Sequence, residues 1–234
     1  MTYPAIEYRG DQIMRIMMKG LLAAGVLTFA ATPGLADAAA GKAAFDAANC
    51  GECHYTTGPA KEKTIADQLA KKGPELWYAG SKFQKEWLAG WLAEPTPIRS
   101  LKFGSLTEKN PGGHPKLAGA EAASVTDFLM SLTSKDVEAG VIKPKKGAKG
   151  RLIFTKKMPC TGCHQYPAKK KAKFKGGNSG PTLVGAGKRL NPDWVYAYLK
   201  TPKIFKPVKR MPVFAGILKD KEMKDVAAYV ATFK

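Results

Sequence analysis

Cys50-Gly-Glu-Cys53-His54 and Cys160-Thr-Gly-Cys163-His164 are two copies of one pattern, and they hold all four cysteines and two of the three histidines of this 234-residue chain. Two thiols separated by two residues, followed at once by an imidazole, put three reactive side chains on a single turn. Such a C-x-x-C-H run reads as a haem attachment site. The thiols add across the vinyl groups as thioethers, and the histidine reaches the iron from the same turn. A lone C-x-x-C could equally be a redox dithiol or half of a zinc site, but no further cysteine exists to complete four zinc ligands. Cys50, Cys53, Cys160 and Cys163 are therefore expected to anchor two covalently bound haem c groups, with His54 and His164 as proximal iron ligands.

Working outward, the two motifs belong to an internal repeat. Phe45 and Phe154 precede them. Gly73-Pro74-Glu-Leu76 is matched by Gly180-Pro181-Thr-Leu183, and Glu86-Trp87-Leu88 by Asp193-Trp194-Val195. Leu92-Ala-Glu-Pro95 then pairs with Leu199-Lys-Thr-Pro202, at the same distance from each tryptophan. Strand patterning is scarce. Apolar residues at helical spacing predict helices over 41–48, 82–93 and 120–132, with counterparts over 150–157, 191–201 and 219–233. The fold class is thus all-α in two tandem units, residues 39–134 and 149–234, joined by a lysine- and glycine-rich linker over 135–148. A second basic, glycine-rich stretch, 169–180, reads as a solvated loop beside the second haem.

On these residues the chain resembles two class I cytochrome c domains in tandem, as in the dihaem cytochrome c4 family, over nearly all of residues 40–234. The resemblance implies two helical domains, each wrapped around one covalent haem. It also implies that the Pro74 and Pro181 carbonyls accept the ring N–H of the proximal histidines, which orients the ring and tunes the metal. Met211, followed by Pro212 and a terminal helix, stands where the family carries its distal methionine. The first half departs from that pattern. Gly112-Gly-His114-Pro115-Lys-Leu-Ala118-Gly119 aligns with Met211-Pro212-Val-Phe-Ala215-Gly216, so His114 takes the methionine's place. Met130, Met158 and Met223 lack that setting and read as packing residues. Haem 1 is expected to be His/His and haem 2 His/Met, with the lower potential at haem 1 because thioether sulfur favours ferrous iron.

Function follows as an expectation. The reading is an electron-transfer protein passing single electrons from haem 1 to haem 2 and on to redox partners, and not an enzyme. An iron left open at haem 1 would instead make a haem enzyme or sensor, and a permanent partner would make the chain a subunit of a periplasmic oxidoreductase. Residues 1–38 read as a cleaved export signal, with Met14 and Met17 as alternative starts. Arg15 and Lys19 precede the apolar run 21–31, and Ala36 and Ala38 form an A-x-A site. That run is too short to cross a bilayer, so a periplasmic protein without stable membrane insertion is expected. The net charge is +19, and residues 140–234 hold 23 basic against 4 acidic side chains, so the whole excess sits in the second half. Such a field favours docking of an acidic partner there. Nucleic acid is not an expected partner.

Overall fold

The computed structural model describes residues 33–167, 174–208 and 211–234. The expected export segment up to residue 32, the middle of the basic stretch at 168–173, and Lys209 and Arg210 lie outside them. Among the described residues no helix is long and apolar enough to cross a membrane.

In the first repeat, helix α1 (Pro33–Ala47) runs through Ala36 and Ala38 and leads into a short 3-10 turn at Cys50–Glu52. Helix α2 (Ile65–Ala70) opens on a capping box, in which Thr64 Oγ1 accepts from the Asp67 amide and Asp67 accepts from the Thr64 amide. Helices α3 (Ala79–Lys82), α4 (Lys85–Ala93) and α5 (Gly119–Ser131) follow. The second repeat begins with α6 (Ala148–Leu152), which widens into a π turn over Ile153–Lys157, and α7 (Cys160–Cys163). Strands β1 (Tyr166–Pro167) and β2 (Phe174–Lys175) form a small antiparallel ribbon. Helices α8 (Ala186–Arg189), α9 (Pro192–Lys200), α10 (Pro202–Phe205) and α11 (Asp220–Val230) complete it. Asn191 caps α9 by accepting from the Asp193 amide, and Pro192 fills the first turn, where its missing N–H costs nothing.

Each repeat is built on one close helix crossing. A Cβ on Gly41 of α1 would collide with the Ser124 carbonyl oxygen of α5, and one on Gly150 of α6 with the Asp225 carbonyl of α11. Only glycine lets the backbones approach so far. Phe45 packs edge-on against Phe128 at 5.4 Å, and Phe154 against Tyr229 at 5.9 Å and Phe233 at 5.4 Å. Leu88, Leu92, Val125 and Leu129 complete the first core, and Trp194, Leu199, Val226 and Val230 contribute to the second.

The helix expected over 82–93 is broken. Phe83 and Gln84 are extended, and Phe83 forms an antiparallel bridge with Leu190 of the other repeat. The Gln84 amide donates to the Arg189 carbonyl at 2.9 Å, and the Asn191 amide donates to the Lys82 carbonyl at 2.8 Å. Lys82, Phe83 and Gln84 occupy the same places ahead of Trp87 that Arg189, Leu190 and Asn191 occupy ahead of Trp194. The two hydrogen bonds are therefore related by exchange of the repeats, as in an isologous interface. The side chains obey the same exchange: Lys82 lies over the Trp194 ring at 5.0 Å and Arg189 over the Trp87 ring at 5.8 Å.

The expected linker, 135–148, packs on the second repeat. Ile142 is buried in the second core, and the Gly140 and Ile142 amides both donate to the Asp193 carboxylate at 2.7 Å. The Lys145 amide donates to the Ala228 carbonyl. The described part of the 169–180 stretch is likewise seated. The Gly177 amide donates to Thr161 and the Gly180 amide to Cys163, which binds this segment to the second C-x-x-C-H turn.

Candidate haem sites

The two motifs adopt the same local arrangement. In each, the histidine amide donates to the carbonyl of the first cysteine at 3.0 Å, so one tight turn carries both thiols and the imidazole. All four cysteines are free, the first of each pair half-buried and the second exposed. Burial raises the Cys50 thiol and pushes Cys160 up to about 11. Among the described residues no three His, Cys, Asp or Glu side chains cluster as ligands of a metal ion.

His54 Nδ1 lies 2.7 Å from the Pro74 carbonyl oxygen, and His164 Nδ1 lies 2.7 Å from that of Pro181. A carbonyl can only accept, so Nδ1 carries the proton and Nε2 keeps its lone pair for a metal. Burial holds both imidazoles below their ordinary value against the opposing pull of the carbonyls, which favours the neutral ring that a metal needs. A Cβ on Gly73 would stand 2.5 Å from His54 Cε1, and one on Gly180 would stand 2.8 Å from His164 Cε1. These glycines let the chain pass against the ring. They are part of the site, and the signal for them was a glycine ahead of proline in both repeats. Gly73→Ala is expected to turn His54 off its axis and abolish normal ligation at that repeat alone. The check is the absorption spectrum, with the other repeat as internal standard; an unchanged spectrum would show that the ring tolerates the methyl.

His114 meets His54. Their ring centroids are 6.1 Å apart and tilted by 41°. Metal–imidazole bonds run to about 2 Å and a ring nitrogen lies about 1 Å from its ring centre, so imidazoles facing one metal from opposite sides have centroids about 6 Å apart. His114 Nδ1 is engaged with the Pro115 carbonyl at 2.8 Å, which again leaves Nε2 for the metal, and Trp91 flanks the ring at 4.7 Å. In the second repeat Met211 is half-buried and packs against the second core, alongside Met158, Cys160 and Leu183. Met223 is buried in that core, and Met130 packs against the first.

Residues where the two repeats meet also suit haem, whose propionates are anionic. The indole N–H groups of Trp77 and Trp194 are buried and lack an acceptor, a state that calls for a partner. Burial, reinforced by the charge of Lys206, pushes Lys82 down to about 7, and burial pushes Arg189 down to about 10. An anion beside these groups would relieve the cost of holding them there. Arg99 reaches from the first repeat to the Ser179 carbonyl at 2.8 Å, and the Thr182 amide donates to Ile98.

Glu75, next to Pro74, was not singled out by sequence. Its side chain is fully buried and pairs with Lys71 of its own repeat and Lys206 of the other, while the Tyr78 hydroxyl donates to it at 2.6 Å. Burial alone would raise this carboxyl, but the charges of Lys206 and Lys82 outweigh it and hold Glu75 well below the usual carboxylate range. Lys71 also pairs with Glu62 at 2.6 Å, which accepts from the Tyr55 hydroxyl. The network thus runs from the residue after His54 to the far repeat.

A family model described as Cytochrome c matches the chain twice, over residues 38–133 and 147–234. No curated protein and no solved structure matches it.

Proposed function

This chain belongs to the cytochrome c family, and from that premise we propose that it is a periplasmic, cytochrome c4-like dihaem protein that passes single electrons between redox partners. The observation that carries the reading is the pairing of His54 and His114 at 6.1 Å beside a C-x-x-C-H turn whose proximal ring is held by a proline carbonyl. His54 and His114 would hold a haem iron between them, and an iron so held could change oxidation state without gaining or losing a protein ligand. Haem supplies the one-electron iron couple when bound. The protein's own part is to tether, orient and bias. Cys50, Cys53, Cys160 and Cys163 anchor; the Pro74 and Pro181 carbonyls hold the proximal imidazoles in one tautomer. Histidine at one distal position and Met211 at the other set haem 1 below haem 2, so electrons run from the first repeat to the second.

Two residues after Met211, the exposed side chain of Val213 shares a surface groove with Ile204, Lys200 and Lys203. Apolar and basic side chains in one groove support an acidic acceptor docking at the second repeat. The export reading rests on residues 15–38 of the sequence.

The test is low-temperature EPR and optical spectroscopy of the oxidised protein beside a His114→Ala variant. Two low-spin haems are expected, one of which turns high-spin in the variant. A high-spin haem in the unaltered protein would mean an open iron and redirect the reading to catalysis or ligand sensing. A redox titration placing haem 1 above haem 2 would reverse the direction of transfer.

A further inference from the structure

The first repeat carries an insertion that the second lacks: fifteen residues separate Ile98 from His114, against five between the matching Phe205 and Met211. The added segment is ordered by its own bonds. Leu101 bridges Lys109, the Lys102 amide donates to Glu108 at 2.9 Å, and the Asn110 amide donates to Ser100 at 2.9 Å. Ser105 Oγ accepts from the Glu108 amide, and Lys102 pairs with Glu108 at 2.8 Å. This well-tied loop nevertheless leaves Phe103 39% and Leu106 73% exposed. It rests on α2, since a Cβ on Gly104 would lie 3.3 Å from Leu69 Cδ2. Leu69 (45% exposed) and Ile65 (69%) are one turn apart on α2 and share its outer face. Two neighbouring elements, joined where Gly104 meets Leu69, thus expose four large apolar side chains between them, as interaction sites do.

The chain on either side is basic. Lys61, Lys63 and Lys72 flank α2, Lys109 belongs to the insertion, and all four are exposed. The nearby acids are engaged: Asp67 with the Lys63 and Thr64 amides, Glu108 with Lys102, and Glu62 with Lys71. Two of the apolar groups are partly covered, Phe103 by the Arg99 guanidinium at 5.5 Å and Leu69 by Gly104 of the loop. A small, partly covered, preformed face suits a transient protein contact better than a lipid surface, which takes a long amphipathic helix laid into it.

We propose that the 101–110 insertion and α2 form a second docking face, for a redox protein whose contact surface is apolar at its centre and acidic at its rim. The partner gives up one electron here and this chain gains it at the first repeat, while the basic second repeat remains free for the acceptor. The inference rests on the electron-carrier reading and adds to it separate sites for donor and acceptor.

The experiment uses the 15N-labelled ferrous holoprotein. It is titrated with a cuprous blue-copper protein whose copper-proximal face is apolar and edged by carboxylates, in about 0.3 M salt to screen long-range attraction to the second repeat. Amide shifts are expected at residues 65–69 and 102–107. Ile65→Asp and Leu106→Asp should each weaken this binding about tenfold. Leu106→Ser, milder at so exposed a position, should weaken it in the same direction with both haem spectra unchanged. Shifts confined to the second repeat, or variants that bind like the unaltered protein, would overturn the proposal. So would sedimentation with phosphatidylglycerol vesicles that is lost in Leu106→Ser, which would make this a membrane face. A high-spin haem 1 would sink the carrier reading while leaving the docking map to be judged on its own shifts.

Discussion

Replacing Glu75 by alanine is expected to destabilise the protein by about 3–5 kcal/mol, because it leaves Lys206 without its counter-charge, the buried Tyr78 hydroxyl without its acceptor, and Lys71 with Glu62 alone. In a chain of this size that corresponds to a fall in melting temperature of about 10 °C. The loss should register as loosening between the repeats, since Lys206 comes from the second and Lys71 from the first. The double variant Glu75→Ala/Lys206→Met should recover part of the loss, because removing both partners leaves less uncompensated charge. The pH dependence has a definite sign. The folded carboxyl is held below its ordinary value of 4.5, so its contribution is complete above that value and disappears as pH falls through the lower, folded one. The gap in melting temperature between the two proteins should therefore be constant near neutrality and close in strong acid. A melting temperature within 2 °C of the unaltered protein at pH 7 would mean that Glu75 does not hold the repeats together.

The second large effect is expected at the helix crossings. Gly41→Val and Gly150→Val each drive a branched side chain into a carbonyl of the opposing helix, Ser124 in one repeat and Asp225 in the other. Neither backbone can yield without parting Phe45 from Phe128 or Phe154 from Tyr229. Overpacking of this kind costs about 3 kcal/mol. Denaturant unfolding of the two single variants, followed at each haem band, should show whether a damaged crossing releases its own repeat first. Coincident loss of both bands would make the repeats one cooperative unit; a variant as stable as the unaltered protein would show that the helices can separate at little cost.

Much of the site could be read from the chain. The C-x-x-C-H runs, the Gly-Pro elements and the alignment of His114 with Met211 are local or repeat-related patterns, and each is a matter of residue type and order. The helices with strong apolar periodicity and good terminal signals, such as α5 and α9, fell where that pattern placed them. The helix expected over 82–93 failed at one point for a reason no local pattern carries: the backbone of Phe83 and Gln84 is hydrogen-bonded to the other repeat instead of to its own turn. Composition marked 135–148 as a linker but carried nothing about its packing, where Asp193 and Ala228 hold its backbone and Ile142 enters the second core.

The sequence by itself determined which side chains stand together: two cysteines and a histidine in each C-x-x-C-H run, a proline after glycine in each repeat, and a charge excess confined to the second half. Covalent chemistry and helical periodicity depend on neighbours a few residues away, so a linear reading reaches them. Only the tertiary structure decided the pairing of the repeats, the burial of Glu75 between Lys71 and Lys206, the stacking of Lys82 and Arg189 on each other's tryptophans, and the seating of Gly104 in the insertion against Leu69 of α2. These depend on contacts between residues distant in the chain. Their energies come from desolvation and close packing, which exist only once the two surfaces have met.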